Sequence, residues 1–232
     1  MSLTRIFPSA APVDDLDALY DAPRRDWLRI SMIGTIDGSV TGTDGTSSTL
    51  TRGSDRAVLG AIRRASDVVL IGASSIRREG YLLPRSVPLA VVTASGDLSG
   101  HAVPAGLEPG RVYVLCPASV ASTVELPGAR VVGIDSPGLL PGRSIVDTLG
   151  TLGFRSIACE GGPTLAGQLV AEGLVDELCL STSPLIGGPP ASPLPGAGRA
   201  DAALAQLLVD DAGVSYARWA VSRSEAAPRA TG

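Results

Sequence analysis

The chain has 232 residues, with 19 basic and 23 acidic side chains, which gives a formal net charge of −4 at pH 7. Every basic residue is an arginine, so a lysine Schiff base and a lysine-dependent phosphate loop are excluded. His101 is the only histidine, which excludes metal sites built from several histidines. The mild acidity predicts no affinity for nucleic acid or anionic lipid.

The cysteine spacing and the hydropathy of the chain predict the compartment in which the protein works. Cys116, Cys159 and Cys179 are widely spaced and form no metal-ligand motif, which is typical of buried thiols in a reducing compartment. No apolar run approaches the ~18 residues of a membrane span. Residues 1–26 lack the apolar core of a signal peptide. We therefore expect a cytoplasmic protein that binds no metal and no membrane.

The first half of the chain is predicted to alternate strands with one helix. Residues 1–26 are expected to form an irregular lead-in, with one short helix over Val13–Tyr20. Leu28–Met32 alternates apolar and polar residues, as a half-buried strand does. A polar loop follows, and Ser54 can cap a helix with apolar residues at positions 58, 61, 62 and 65. Further strands are predicted at Asp67–Gly72, Leu89–Thr93, Val112–Cys116 and Arg130–Ile134.

The second half continues this alternation. A helix is predicted to begin at Ser144 and to end at Gly153. After it we expect a strand at Ser156–Cys159, a helix at Pro163–Glu172, a strand at Glu177–Ser181, a loop at Gly187–Gly198 and a strand at Tyr216–Val221. Alternating strands and helices predict a mostly parallel sheet covered on both faces. The sequence thus predicts one α/β domain over residues 27–222 and a polar tail at 223–232, and the last strands can pair antiparallel.

The strongest local signal is a glycine pair between a predicted strand and a predicted helix. Gly161 and Gly162 precede Pro163, a residue favoured at the first helical position. Because these glycines carry no Cβ, backbone N–H groups can approach a phosphate, and the helix dipole favours its charge. The segment fits an anion site or a tight turn without a ligand. It is not the Rossmann fingerprint, whose glycines are spaced and follow the first strand.

Two other polar segments follow predicted strands. In residues 71–81, two serines, Arg77, Arg78 and Glu79 follow a buried strand. The paired arginines can hold a phosphate or form a solvated face. The loop at residues 35–49 is rich in hydroxyl groups, and it can rim a pocket or serve only as a turn.

Taken in chain order, these segments resemble the C-terminal reductase domain of bacterial riboflavin biosynthesis proteins. The matching segments are Ser31-Met32, Thr35–Gly38, Gly45–Ser47, Ser54–Arg64, Asp67–Ser75, Glu160–Leu165, Gly173–Leu178, Pro184 and Gly187-Gly188. The resemblance covers residues 27–222. It implies a dihydrofolate-reductase-like fold: a single three-layer α/β domain whose mixed, mostly parallel sheet is flanked by helices.

The resemblance also implies an activity and its residues. The family uses NADPH to reduce a pyrimidine carrying a phosphorylated ribosylamino group, opens the ribosyl group to a ribityl chain, and usually forms homodimers. The implied cofactor-binding residues are Thr49, Gly72, Ser75, Glu79, Thr93, Gly161, Gly162, Pro163, Thr164, Leu165, Ala166 and Gly167. The implied substrate-binding residues are Ser47, Arg63 and Glu160, with Arg63 as a fork for the phosphate and Glu160 as an acceptor for an amine. Glu79 or a bound water is the hypothesised proton donor.

The sequence departs from the family in three respects, one of which is that the arginine usual shortly after residue 81 is displaced to Arg85. It lacks residues that could supply the zinc ligands of the deaminase found in bifunctional relatives, so deamination is not expected. Where many relatives carry an Asp followed by Asn/Asp-Pro, this chain has Glu79-Gly80-Tyr81. Two alternatives therefore remain: a dihydrofolate-reductase-like paralogue that reduces a pterin or another small substrate, and a non-catalytic module that binds NADPH.

Overall fold

The computed structural model describes residues 2–79, 83–104, 106–189 and 192–222, except for the side chain of Glu79. The described strands are β1 Leu3–Phe7, β2 Ala11–Pro12, β3 Trp27–Thr35, β4 Val68–Gly72, β5 Leu89–Val92, β6 Val112–Pro117, β7 Arg130–Ile134, β8 Ser156–Cys159, β9 Glu177–Ser183, β10 Ala202–Asp210 and β11 Ser215–Val221. The described α-helices are α1 Asp55–Arg64, α2 Ala73–Glu79, α3 Gly142–Thr151 and α4 Pro163–Ala171. A short 3₁₀ helix spans Ala118–Thr123.

All of these strands join one sheet in the order β2-β1-β10-β11-β9-β3-β8-β4-β5-β6-β7. In the half of the sheet that runs from β9 through β3 and β8 to β7, neighbouring strands are parallel. Neighbouring strands from β2 to β9 are antiparallel. The predicted mixed, mostly parallel sheet is therefore confirmed, including the antiparallel pairing of the last strands.

Helices cover both faces of the parallel part. On one face, Val58 and Ile62 of α1 and Ile76 of α2 pack in the same buried cluster as Ile71 of β4. On the other face, α3 and α4 pack in a second cluster that contains Leu70 of β4. Successive β4 residues thus point to opposite layers, as strand geometry requires. The predicted three-layer arrangement is confirmed.

The N-terminal segment differs from the prediction. Residues 1–26 were expected to be irregular, but β1 pairs with β10 and β2 pairs with β1. The helix expected over Val13–Tyr20 is wrong, since this stretch contains only turns and bends. Tyr20 is 1% exposed and packs in the cluster with α1. The predicted tail at 223–232 lies outside the described residues.

Two predicted helix starts also need correction. Ser54 precedes α1, but its side chain forms no capping hydrogen bond; instead its backbone N–H donates to Asp210 Oδ2 at 2.7 Å. The helix expected from Ser144 begins at Gly142. There the Glu172 carboxylate accepts hydrogen bonds from the N–H groups of Gly142 at 2.7 Å and Arg143 at 2.8 Å. Acidic groups from elsewhere in the chain therefore satisfy both helix starts.

Candidate active site

The candidate site lies where β4 and β8 end beside each other. Leu70 and Cys159 are partners in this parallel pair, so the residues after both strands emerge at the same edge of the sheet. From there α2 leaves on one face and α4 on the other. In open α/β sheets, ligands bind outside the carboxyl ends of the strands at such a switch point.

Backbone and hydroxyl groups bring the two turns into contact. The Gly72 N–H donates to the Gly161 carbonyl oxygen at 2.8 Å. A Cβ built on Gly162 would lie 3.3 Å from the hydroxyl oxygens of both Ser74 and Ser75. The absence of a side chain therefore lets the Gly162 backbone lie close to both hydroxyl groups. Ser74 was not selected from the sequence, although it directly precedes Ser75.

Helix α4 begins at this junction of the two turns. Pro163 is its first residue, as predicted, and Gly162 at its N-cap supplies no side-chain cap. The helical hydrogen bonds begin at Ala166, whose N–H donates to the Gly162 carbonyl oxygen at 3.1 Å. The N–H groups of Thr164 and Leu165 precede that bond, so the positive end of the helix dipole faces the turn.

The rest of the predicted glycine segment is occupied by the protein itself. A Cβ on Gly167 would lie 2.0 Å from the Pro195 carbonyl oxygen, so this glycine allows a loop to lie against α4. Leu165 and Ala166 are buried in the core. The cofactor-binding roles of Leu165, Ala166 and Gly167 stay predictions, and among these groups the Leu165 N–H lies in the first turn of α4.

The other predicted cofactor residues are more dispersed. Thr93 is 3% exposed, follows the neighbouring strand β5, and accepts a hydrogen bond from the Gly96 N–H at 3.1 Å. Thr49 is exposed in the loop after β3, where its hydroxyl donates to Asp44 at 3.4 Å. Glu79 ends α2, and its side chain lies outside the described atoms. Roles for these three residues in cofactor binding stay predictions.

On the substrate side, the structure joins two of the predicted residues. Arg63 in the last turn of α1 forms a two-point ion pair with Glu160, which follows β8. The Nε–Oε1 distance is 2.7 Å and the Nη2–Oε2 distance is 2.6 Å. Ser47 is partly buried in the loop before α1, where its carbonyl oxygen accepts a hydrogen bond from the Leu50 N–H.

The middle of β3 is only partly buried. Arg29 and Thr35 are buried, whereas Ser31 and Ile33 between them are only partly buried. Alternation places these four residues on the α1 face of the sheet, since Arg29 contacts Glu177 and Tyr20 on that face. We refer to this partly exposed stretch, Ser31 and Ile33, as the cleft over β3; it begins where the pairing of β3 with β8 ends, at Ile30 and Cys159.

Cys159 does not supply a nucleophile to this site. Its side chain is 0% exposed, and burial raises the pKa of the Cys159 thiol to about 12. The thiol is thus protonated near neutral pH, whereas thiolate is the reactive form. All three cysteines are free and buried. Among the described residues, no cluster of histidine, cysteine and carboxylate side chains could hold a metal ion.

Comparisons with known proteins agree with this fold. A pyrimidine reductase-like protein from Corynebacterium diphtheriae matches with a TM-score of 0.69 and 20% identity, over 90% of this chain and 99% of that chain. A deaminase/reductase from Thermotoga maritima matches with a TM-score of 0.71 and 18% identity, over 85% of this chain and 57% of that chain. Dihydrofolate reductase from Enterococcus faecalis, complexed with NADP(H), matches with a TM-score of 0.51 and 9% identity, over 85% of this chain and 98% of that chain.

The family comparison covers most of the chain. No curated protein is a significant match. The model of the RibD C-terminal domain matches residues 26–215. Both this match and the shared fold confirm the resemblance inferred from the sequence. The chain belongs to the RibD C-terminal domain family, the oxidoreductase domain of riboflavin biosynthesis proteins.

Proposed function

We propose that this protein is an NADPH-dependent reductase that converts a phosphorylated ribosylamino-pyrimidine into its ribitylamino counterpart. The observation that carries the proposal is the junction of the β4 and β8 turns, where the hydroxyls of Ser74 and Ser75 lie close to the Gly162 backbone at the start of α4. Family membership supports the class of substrate. The acceptor carbon would be C1′ of the sugar, as an imine or open-chain carbonyl.

The residues of the junction fit a dinucleotide. The Thr164 and Leu165 N–H groups and the Thr164 hydroxyl can donate to the diphosphate, whose charge the α4 dipole stabilises. Ser75 lies close enough to Gly162 to add a further donor. The Gly72 N–H ties the adjacent turn to this one through its hydrogen bond to the Gly161 carbonyl oxygen. When bound, the nicotinamide supplies the hydride.

The cleft over β3 is the proposed substrate pocket. Glu160 lies at its edge and can accept hydrogen bonds from amine groups on the pyrimidine, and Ser47 can add a hydroxyl. Reduction also consumes a proton, for which Glu79 or a bound water remains the hypothesis. Replacing Glu79 by Gln tests that role, because unchanged turnover would remove Glu79 from it.

A steady-state assay tests the proposal. Purified protein is mixed with NADPH and the phosphorylated ribosylamino-pyrimidine, and loss of NADPH absorbance is followed, with NADH as a control. Turnover of this substrate supports the proposal. Turnover only with dihydrofolate or dihydrobiopterin would instead indicate a pterin reductase. Tight NADPH binding without turnover would indicate a non-catalytic module.

The proposal includes a homodimer in the cytoplasm. Ile36 and Ile186 are 61% and 80% exposed, and the Ile36 N–H donates to the Leu185 carbonyl oxygen, so these apolar side chains lie near each other. A second copy of the chain would cover them. Analytical ultracentrifugation of the wild type and an Ile186→Asp variant tests this, since only the wild type should sediment as a dimer. None of the described helices combines the length and the apolar character that a membrane crossing requires.

A further inference from the structure

The Arg63–Glu160 pair bridges a helix and a strand end at the edge of the proposed substrate pocket. Both contacts are short, and both oxygens of the Glu160 carboxylate take part. The Glu160 side chain is 6% exposed and the Arg63 side chain 22% exposed. Such a fork fixes the plane of the carboxylate as well as its position.

The backbone on both sides of the pair is well anchored. Ala61 and Ile62 of α1 are 0% and 1% exposed, so the helix that carries Arg63 is packed against the sheet. The Glu160 N–H donates to the Leu70 carbonyl oxygen at 3.0 Å, which extends the β4–β8 ladder by one step. Helix α1 and the end of β8 therefore hold the guanidinium and the carboxylate in contact.

This geometry bears on how Arg63 serves the substrate. The resemblance implied that Arg63 would fork the substrate phosphate, but its Nε–Nη2 edge is bonded to Glu160. A phosphate added to this pair would lie beside a carboxylate, and the pair itself has no net charge. Such a unit is a poor site for a dianion. It is well suited to hold an acceptor in a fixed orientation.

We propose that Arg63 is a positioning residue that acts through Glu160, and that the substrate phosphate is held elsewhere. This inference rests on the proposed function, since it assigns Glu160 to the amine groups of the pyrimidine. A carboxylate offers about four acceptor positions, so one guanidinium fork does not exhaust it. Arg63 sets the direction in which the carboxylate accepts the amine N–H groups.

Kinetics of Arg63→Gln, Glu160→Gln and the double variant test the inference. Each is assayed with the ribosylamino-pyrimidine in its phosphorylated and dephosphorylated forms. We expect Arg63→Gln to lower kcat/KM roughly tenfold to a hundredfold, as loss of an orienting partner does. The loss should be equal on both substrates, and adding Arg63→Gln to Glu160→Gln should cost little more. The inference would be overturned if kcat/KM fell only for the phosphorylated substrate. It would also be overturned if the losses in kcat/KM of the two single variants multiplied in the double variant.

Arg63→Lys and NADPH affinity serve as controls. A lysine keeps the charge but cannot form the fork, so Arg63→Lys should be impaired almost as much as Arg63→Gln. Full rescue by lysine would show that charge alone suffices, which contradicts a role in orientation. If Arg63→Gln does not fold, Arg63→Lys carries the same comparison of the two substrates. NADPH affinity should stay the same in every variant.

A crystal structure of Arg63→Gln, or of Arg63→Lys, separates this inference from the proposed function. We expect the Glu160 carboxylate to rotate away from its wild-type orientation. An unchanged carboxylate would refute the inference even if the enzyme is active. If the wild type reduces neither pyrimidine, the proposed function fails, and the orientation of Glu160 still decides whether Arg63 positions it.

Discussion

The N–H of Gly72 and the carbonyl oxygen of Gly161, 2.8 Å apart, continue the hydrogen bonding between β4 and β8 beyond the last strand residue of β8. This bond fixes the two turns relative to each other before α2 and α4 diverge. The serine hydroxyls after β4 and the first N–H groups of α4 therefore form one surface. We expect the NADPH diphosphate to bind on that surface.

A negative charge at Thr164 should weaken NADPH binding without harming the fold. Thr164 is exposed in the first turn of α4, where an acidic side chain stabilises a helix. The same charge repels a diphosphate, so Thr164→Glu should weaken NADPH binding roughly tenfold to a hundredfold. Thr164→Gln, of equal size and no charge, should retain most of the affinity. Fluorescence titration with NADPH measures both, and equal affinities would place the diphosphate elsewhere.

Two glycines in helices should respond oppositely to alanine. A Cβ on Gly167 of α4 would meet the Pro195 carbonyl oxygen at 2.0 Å, whereas a Cβ on Gly150 of α3 meets nothing within 4 Å. Gly167→Ala should therefore cost about 1–3 kcal/mol through overpacking. Gly150→Ala should raise the free energy of unfolding by about 0.5–1 kcal/mol, because alanine has the higher helix propensity. Urea unfolding measures both changes, and stabilisation by Gly167→Ala would show that the loop does not lie against α4.

The charge of Glu177 should contribute strongly to the free energy of unfolding. It is 2% exposed and pairs with buried Arg29 at 3.0 Å and with Arg218 at 2.6 Å. Glu177→Gln leaves two guanidinium groups without a counter-charge, so we expect a loss of about 3–5 kcal/mol. The exposed Asp17–Arg64 pair is the control, since Asp17→Asn should change stability little. Thermal unfolding compares the two, and similar melting temperatures for both variants would contradict the prediction.

Asp55 should make stability fall as pH rises. Burial raises the pKa of this carboxyl above its usual value of 3.8, and hydrogen bonds from Ser181 and Thr51 only partly oppose the shift. The folded state therefore binds the proton more tightly, so this contribution to stability is present below about pH 3.8 and is lost as the pH rises through the folded pKa. Asp55→Asn should match or exceed the wild type in stability at pH 7 and lose this advantage in acid. Urea unfolding across a pH series measures it, and a variant with an unchanged pH slope would contradict the assignment.

Local patterns in the sequence were sufficient for the parallel core and for the turn before α4. Leu89–Thr93 and Pro163–Glu172 agree with β5 and α4 to within one residue. The apolar runs of parallel strands and the proline after two glycines are local signals, so a short window contains them.

Other elements depend on distant partners. Strand β10 was not predicted because its buried residues include Gln206 and Asp210, which reverse the expected alternation. Asp210 accepts hydrogen bonds from the Ser54 N–H and the Tyr216 hydroxyl, each at 2.7 Å. Strand β1 pairs with β10 although most of the sequence lies between the two strands, and no local pattern reveals such a pairing. The same holds for the candidate site, where sequence selected Arg63 and Glu160 separately but could not show that they bond to each other.

The structure of the protein crystallised with NADPH tests the central claim most directly. The account predicts diphosphate oxygens about 2.7–3.2 Å from the N–H groups of Thr164 and Leu165, with the Ser75 hydroxyl nearby. It also predicts that the nicotinamide points towards the cleft over β3. A diphosphate bound away from residues 161–165, or a turn without ligand at saturating NADPH, would contradict the account.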